Sequence, residues 1–390
     1  MAVPRSKFEL ATVVHRFARE LMAKERLNGI QIKALHNILQ CRTALMGGHE
    51  DVCELCQEKR YSYNSCGDRH CPKCQSAKQA LWVENVTGLT LPIKHYHIIF
   101  TVPHALNKVC IWNPTLYYNL LFSAVWRTLR NFGYSEYGAE TGAIAVLHSW
   151  GQNLGLHPHI HCIVPAAGYT IKGQWKRIGK PLFLYPVHAL SKTFKGKFMD
   201  SLRRKLRKIN MPDAFQAEIN QAYKTDWVVF SQASMAGPEH VIRYLGQYTH
   251  RVAISNERIM DISKTHVKFM AKDYRDGARQ KPMSLTGTEF LRRFCLHVFP
   301  KGFVRIRRYG IYNPATIRNM NLQFSTQQQI PSKDPKTKKK ITPELIKQLT
   351  GFDPGICRKC KTGRMVVVAV LPRIRSPAAH LPSMLLCKLL

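Results

Sequence analysis

The sequence predicts an α+β fold in which a sheet-and-helix region follows a helical and cysteine-rich region. From Lys94 onward the apolar residues change from helical spacing to short runs that predict, in order, a strand, a helix and two strands. One of these runs contains His157, His159 and His161 at alternate positions, which places three imidazoles on one face of a strand. Such a row on an apolar strand indicates a metal or phosphate site.

The composition favours a nucleic-acid partner. The 390 residues include 59 Lys and Arg against 24 Asp and Glu, a formal net charge of +35, and 45% are apolar. The length predicts two or three domains, and the charge would make a compact fold self-repelling unless a polyanion neutralises it. The charge is spread over the whole sequence, and neither an apolar run of roughly 20 residues nor a signal peptide is visible. We therefore expect an intracellular protein that does not bind membranes.

Two helices are predicted before a cysteine-rich segment. Residues 8–17 and 31–39 carry apolar side chains at helical spacing. Residues 47–75 are rich in turn formers, cysteine and histidine and poor in aliphatic residues. Because such a segment cannot form an apolar core of its own, a metal is expected to hold it together.

Two cysteine pairs predict one structural zinc site. Cys53-x2-Cys56 and Cys71-x2-Cys74 have the spacing of two zinc knuckles, whereas chance gives only about 0.4 such pairs in a chain of this composition. Four thiolates leave zinc no open position, so the site would present nearby basic residues to DNA: Lys59, Arg60, Arg69 and Lys73. Three further residues could replace a ligand or form a second, weaker site: His49, Cys66 and His70. Buried cysteines without metal are the alternative.

The remaining elements alternate between strands and helices. Strands are predicted at residues 95–102, 142–148, 156–164, 226–231, 251–255, 266–271 and 303–309, with a further hairpin over 169–184. Helices are predicted at residues 114–132, 187–209, 237–249 and 288–297. Residues 324–340 are polar and end in three lysines, which indicates a linker, and Cys357 and Cys360 follow it as half of a zinc motif.

The histidine strand predicts a second metal site with open coordination positions. His159 and His161 are the expected pair, and His157 is expected to contact DNA or support the pair. The third ligand is either His148, on the neighbouring hairpin strand, or Gln152 in the connecting turn, and we favour His148. His95 and His97 repeat the spacing but are interpreted as structural. The alternative is that all these imidazoles are satisfied core residues.

Two tyrosines supply candidate nucleophiles. Tyr244 and Tyr248 lie four residues apart on a predicted helix, so both hydroxyls can reach one site. Gln247 and Arg251 lie beside them as candidate DNA contacts or ligands. A phenol with a pKa near 10 is almost wholly protonated at neutral pH, so a metal or an arginine must stabilise the phenolate. An ordinary aromatic stripe of a core helix is the alternative.

Together these motifs resemble the HUH single-strand transposases of insertion sequences that transpose by a rolling-circle route, in the two-tyrosine branch. The resemblance spans most of the chain. It rests on residues 63–66 and 69–74 in the cysteine-rich segment, and on residues 97–104, 156–161, 244–254 and 303–307 after it.

The resemblance implies an HUH nuclease core, an antiparallel sheet with a split β-α-β arrangement and a ferredoxin- or RRM-like palm. It implies Mg2+ or Mn2+ held by His159 and His161, with His148 suiting the third position. Tyr244 and Tyr248 would act as paired nucleophiles that form a 5′-phosphotyrosine, with no nucleotide cofactor. The implied partner is single-stranded DNA at element ends and target, in the cytoplasm and nucleoid of a bacterium. The oligomeric state stays open, with a dimer among the options.

The predicted organisation has three parts. Residues 1–90 form a helical and zinc-binding domain, residues 91–313 the nuclease domain, and residues 314–390 a basic linker and small extension with a CxxC motif. One rival is a plasmid or phage replication initiator or relaxase, which the amino-terminal knuckles argue against. Others are a zinc protein that only binds nucleic acid, and a zinc hydrolase, which would lack a nearby general base.

Overall fold

The computed structural model has an α+β fold and describes residues 6–75, 91, 93–180, 183–233, 253–273, 276–277, 279–316, 347 and 353–374. The described helices are α1 (Leu10–Lys24), α2 (Gly29–Gln40), α3 (Asn107–Trp112), α4 (Pro114–Tyr137), α5 (Val187–Lys208), α6 (Gln216–Lys224) and α7 (Gly287–Cys295). The described strands are β1 (Gly48–Cys53), β2 (Lys59–Tyr63), β3 (His95–Thr101), β4 (Ala139–Glu140), β5 (Gly142–Trp150), β6 (Leu156–Pro165), β7 (Ala167–Thr170), β8 (Trp175–Arg177), β9 (Val228–Ala233), β10 (Ile259–Ile262), β11 (His266–Asp273), β12 (Arg279–Thr286), β13 (Ile306–Gly310) and β14 (Met365–Leu371).

A five-stranded antiparallel sheet lies at the centre, in the order β13-β5-β6-β3-β9. One face packs against α4 and α5 in the largest apolar core, to which β6 contributes Ile160, Cys162 and Val164. α4 begins where the sequence favours it, because the Asn113 side chain accepts a hydrogen bond from the Leu116 N–H and Pro114 occupies the first turn.

The opposite face of the same strands carries the histidines. Side chains alternate along a strand, so His159 and His161 point away from the face that Ile160 and Cys162 share with the helices. The antiparallel register sets His159 directly across from His148 on β5, and His161 across from Ile99 on β3. Four imidazoles therefore share this surface, which we call the imidazole face: His97, His148, His159 and His161.

A second core joins the amino-terminal helices to residues far along the chain. α1 and α2 pack with α7 and with the antiparallel sheet β10-β11-β12. Gly287 lies so close to α1 that a Cβ added there would be 2.2 Å from Cγ of Phe17. The Arg16 guanidinium donates to the Ile262 carbonyl at 2.8 Å. The division at residue 90 stays a prediction about folding units, and these described contacts run across it.

The two ends of the described chain meet in a third sheet. Its order is β14-β1-β2, so a strand from the carboxyl-terminal region pairs with the first strand of the amino-terminal hairpin. A fourth sheet, β4-β7-β8, contains the β7–β8 hairpin, whose turn lies within the range 169–184 predicted for a hairpin.

Most predicted elements have counterparts, and the differences are local. The strand predicted at 303–309 begins only at Ile306, because Phe303 instead closes a turn by donating its N–H to the Pro300 carbonyl. Of the strand predicted at 251–255, residues 253–255 form no strand and the rest lie outside the described residues. The predicted helix 237–249 and linker 324–340 also lie outside them. Among the described helices, none combines the length and apolar character that crossing a membrane requires.

Candidate functional site

Three histidines on the imidazole face form a compact donor cluster. In His148, His159 and His161, one ligand-capable atom of each lies within 4.8 Å of the others. The ring centroids of His148 and His161 are 4.3 Å apart, and those of His159 and His161 are 5.0 Å apart. His148 and His161 are buried, and His159 is partly exposed. The register of β5 and β6 thus brings together the pair and the favoured third ligand predicted from the sequence.

Neighbouring groups fix how these rings are oriented. Nδ1 of His159 donates to the backbone carbonyl of His157 at 2.7 Å, which leaves Nε2 to face a ligand. Nδ1 of His161 lies 2.8 Å from Nε2 of His97, and the two rings stack with centroids 5.1 Å apart. Partners of this kind set the tautomer of a metal-ligating histidine. His97, which sequence reasoning set aside as structural, therefore touches the cluster directly.

Burial keeps these imidazoles neutral. Desolvation lowers the pKa of His159 to about 4, and it lowers the pKa of His97 to about 4 as well. The pKa values of His148 and His161 are also lowered, first by desolvation and then by the neighbouring imidazoles. A neutral imidazole is the form that binds a metal. Three neutral nitrogen donors fit a divalent cation that keeps positions open for phosphate oxygens, and they suit Mn2+ better than Mg2+, which prefers oxygen ligands.

The other residues predicted around this site have different placements. His157 lies at the start of β6, where its ring is 5.1 Å from that of His104. Gln152 lies in the turn between β5 and β6, and its backbone carbonyl accepts a hydrogen bond from the Arg258 guanidinium. The predicted nucleophiles and their neighbours lie outside the described residues: Tyr244, Tyr248, Gln247 and Arg251.

The cysteines form two clusters rather than the one predicted. The first contains Cys41, Cys66, Cys71 and Cys74, with all four sulfur atoms within 4.8 Å of one another. The second contains Cys53, Cys56, Cys357 and Cys360, with the same compactness. The single site of Cys53, Cys56, Cys71 and Cys74 is therefore wrong in its grouping, because each pair closes on different partners.

The first cluster fits a structural zinc ion. Sγ of Cys74 lies 3.5 Å from that of Cys41 and 3.6 Å from that of Cys66. Tetrahedral zinc with Zn–S bonds of about 2.3 Å separates its sulfurs by roughly 3.8 Å, whereas a disulfide needs about 2.05 Å. Hydrogen bonding, first of all with Cys66, lowers the pKa of Cys41 to about 7. Cys41 and Cys71 are buried beside the second core, so the cluster fixes α2 against the loop that follows β2.

The two histidines proposed as spare zinc ligands belong to neither cysteine cluster. Nδ1 of His70 is 2.9 Å from Asp68, and its Nε2 accepts the Phe299 N–H at 3.1 Å. With both ring nitrogens engaged, His70 has none for a metal. His49 belongs to neither cluster, and its Nε2 lies 3.3 Å from a carboxylate oxygen of Asp51.

The basic residues around the knuckles have partners within the protein. Arg60 forms an ion pair with Asp51 at 2.8 Å, and Lys73 forms one with Glu9 at 2.6 Å. Arg69 donates to the Phe303 carbonyl at 2.7 Å and lies over the Phe299 ring. The Lys73 and Arg69 contacts brace the knuckle region against the rest of the fold, and the Arg60 ion pair holds β1 and β2 together.

Sequence reasoning missed one ligand-capable cysteine, one histidine and the partners of a CxxC motif that it had noted. Cys41 lacks a nearby partner in the sequence, so spacing could not reveal it. Cys357 and Cys360 did have a visible signal, a CxxC motif without a partner motif. Their partner motif is Cys53-x2-Cys56, which sequence reasoning grouped with Cys71 and Cys74. His97 stands two residues from His95 on a predicted strand, and only the register of β3 with β6 shows that it reaches His161.

Comparison with known proteins adds two family matches. A family model described as "Putative transposase" matches residues 142–320. A second model, described as "Transposase zinc-binding domain", matches residues 13–102. The first range contains the histidine cluster, and the second contains the whole of the first cysteine cluster.

Two relatives match nearly the whole chain. "Putative transposase y4qJ" of Sinorhizobium fredii (strain NBRC 101917 / NGR234) is 38% identical over 392 aligned positions, covering 96% of this chain and 98% of the relative. "Transposase for insertion sequence element IS801" of Pseudomonas savastanoi pv. phaseolicola is 24% identical over 368 positions, covering 90% of this chain and 86% of the relative. No solved structure matches the chain.

Proposed function

The chain belongs to the transposase family of these relatives, and on that premise we propose that it nicks and joins single-stranded DNA through a tyrosine, with a divalent cation held by its histidine cluster. The observation that carries the proposal is the arrangement of His148, His159 and His161 on one face of the central sheet, all within 4.8 Å. Three imidazoles without a carboxylate suit a site that polarises phosphate and leaves nucleophilic attack to another side chain.

The proposed fold of this region is an HUH nuclease core, formed by residues 91–313. Its support is an antiparallel sheet with helices on one face and the histidine pair on the central strand β6. Residues 1–90 would recognise element ends, with zinc in the first cysteine cluster as a structural ion. The basic composition supports single-stranded DNA at element ends and target as partner.

The proposed cation would be Mn2+ or Mg2+, bound by the histidine cluster, and when bound it polarises the phosphate to be cut. His97 would position one ligand. If His161 held the cation through Nε2, its Nδ1–H would donate to Nε2 of His97, which would fix the ring. His159 is fixed in the same way by the His157 carbonyl.

The proposed nucleophile is Tyr244 or Tyr248. The phenol loses its proton, its oxygen forms a bond to phosphorus, and the bond from phosphorus to the 3′ oxygen breaks. The 3′ oxygen takes up a proton in exchange, so the number of protons is unchanged. The products are a 5′-phosphotyrosine and a DNA strand ending in a 3′ hydroxyl. Because the new ester preserves the energy of the phosphodiester, a second strand can be joined without a nucleotide cofactor. Two tyrosines allow two such transfers in succession.

Labelled DNA tests this polarity. Full-length protein with Mn2+ is incubated with a single-stranded oligonucleotide that carries an element end, labelled at either its 3′ or its 5′ end, and denatured before analysis. We expect the 3′ label to stay on the protein and the 5′ label to leave on a shorter fragment. The adduct should vanish in Tyr244→Phe with Tyr248→Phe and persist in Tyr223→Phe, which changes a partly exposed tyrosine on α6.

Each contrary result removes a specific part of the proposal. Nicking without an adduct would exclude a tyrosine nucleophile. An adduct that carries the 5′ label would reverse the polarity of cleavage. DNA binding that is unchanged in the double phenylalanine variant, with no nicking by the wild type, would favour a protein that only binds nucleic acid.

A further inference from the structure

The second cysteine cluster joins residues about 300 positions apart. Sγ of Cys53 lies 3.7 Å from that of Cys360, and Sγ of Cys56 lies 3.6 Å from that of Cys357. These separations are too long for disulfides and close to the roughly 3.8 Å between sulfurs around tetrahedral zinc. We propose that these four cysteines bind a second zinc ion, which fastens the carboxyl-terminal segment 353–374 to the amino-terminal hairpin.

The two halves of this cluster have the same local backbone. The residue after the second cysteine of each motif is in the left-handed region, Gln57 at φ 57° and Lys361 at φ 62°. Each donates its N–H to the carbonyl of the first cysteine, at 3.1 Å for Gln57 to Cys53 and 3.0 Å for Lys361 to Cys357. A non-glycine residue with positive φ is uncommon. Two distant segments that share it at the same position of a CxxC motif have the form of paired knuckles around one ion.

The backbone approaches the sulfurs closely. A Cβ added to Gly363 would be 2.4 Å from Sγ of Cys53, so only glycine fits beside that thiol. The Gly363 N–H donates to Sγ of Cys360 at 3.2 Å.

Neighbouring contacts hold the two segments in register. Lys359 and Glu58, one from each knuckle, form an ion pair at 2.9 Å. Beyond the cluster, β14 pairs with β1 from Cys53↔Met365 to Gly48↔Leu371. Several valines of β14 are exposed, so this strand gains little from apolar burial. A metal bond at one end of the strand pair supplies stability that its own side chains do not.

Metal content tests the proposal without reference to DNA cleavage. Inductively coupled plasma mass spectrometry of the full-length protein, purified under reducing conditions, should give two zinc ions per chain. Cys357→Ser with Cys360→Ser should give one, whereas Cys110→Ala, which changes a described cysteine that belongs to neither cluster, should keep two. Replacing zinc by Co2+ should likewise halve the thiolate-to-cobalt absorption in the double variant.

Alkylation supplies a measurement that needs no variant. N-ethylmaleimide should leave Cys357 and Cys360 unmodified in native protein and modify both after zinc chelation, although Cys360 is partly exposed. One zinc per chain in the wild type, iron in its place, or immediate alkylation of these cysteines would overturn the proposal.

Discussion

The two faces of the central sheet are built from the same strands and serve opposite purposes. On β6, Ile160 and Cys162 face the helices and are buried in the largest core, while His159 and His161 face the other way and gather around His148. Burying an aliphatic side chain stabilises a fold by about 1.5–3 kcal/mol, whereas burying an imidazole requires that its polar atoms find partners. One face therefore supports the fold, and the other holds the clustered histidines at some cost in stability.

The largest effect is expected from removing the histidine pair. His159→Ala with His161→Ala should lower the nicking rate about 1000-fold or more, because polarisation of phosphate by a metal contributes several kcal/mol at about 1.4 kcal/mol per factor of ten. Adduct formation with Mn2+ measures this, and His188→Ala, an exposed histidine on α5, is the control. Nicking at more than a tenth of the wild-type rate would remove this cluster from the chemistry.

The residue between that pair should show the reverse behaviour. Ile160→Ala should lower the free energy of unfolding by about 2–5 kcal/mol, since it opens a cavity under α4 and α5. Nicking per folded molecule should stay within about twofold. Urea denaturation and the adduct assay measure the two quantities separately. A loss of nicking at unchanged stability would contradict the division between the faces.

His97 tests whether the proposed site extends beyond the three clustered histidines. His97→Ala should raise the Mn2+ concentration for half-maximal nicking about 10–100-fold, because His161 loses the partner that fixes its ring. The rate at saturating Mn2+ should change little, and His97→Gln, which keeps an acceptor, should recover part of the affinity. An unchanged Mn2+ dependence would return His97 to a purely structural role.

The smallest effect is a pH dependence from a buried histidine on β3 that is not one of the four defined above. His95 contacts the Tyr312 hydroxyl, and burial lowers the pKa of His95 to about 4. Below pH 6.5 this histidine is protonated in the unfolded chain but stays neutral in the folded protein. Its contribution to the free energy of unfolding therefore falls as the pH drops from about 6.5 towards 4, and it does not change with pH above about 6.5.

The contribution of His95 changes the free energy of unfolding by up to about 1.4 kcal/mol per pH unit. Denaturation at pH 7, 6 and 5, without added Mn2+ or Mg2+, should show a shallower slope for His95→Gln than for the wild type. Equal slopes would mean that His95 is protonated alike in both states.

The sequence predicted those parts of the fold whose signal is local. The apolar periodicity of residues 8–17 and 114–132 located α1 and α4, and the alternating histidines located β6 and its face. β1, β2 and β12 were missed because they are short or largely exposed and show no clean alternation of apolar residues. Their pairing is decided by partners elsewhere in the chain.

The candidate sites also differ in how much of them the local sequence could predict. His148, His159 and His161 could be grouped because a short hairpin joins their strands. The cysteines could not be grouped correctly from the sequence. A CxxC motif indicates that two cysteines bind the same ion, but it does not indicate which other pair completes the coordination of that ion. Cys53 and Cys56 are nearer in sequence to Cys71 and Cys74 than to Cys357 and Cys360, and the fold reverses that order.

The pairing of β14 with β1 has a consequence for synthesis. β1 leaves the ribosome roughly 300 residues before its partner, which at about 5–20 residues per second is a wait of about 15–60 s. Throughout that interval the edge of β1 that pairs with β14 has no partner strand, and Cys53 and Cys56 lack the two cysteines that complete their cluster. A copy of the gene cut short before codon 357 would yield a chain whose opening hairpin is never completed, however intact its histidines.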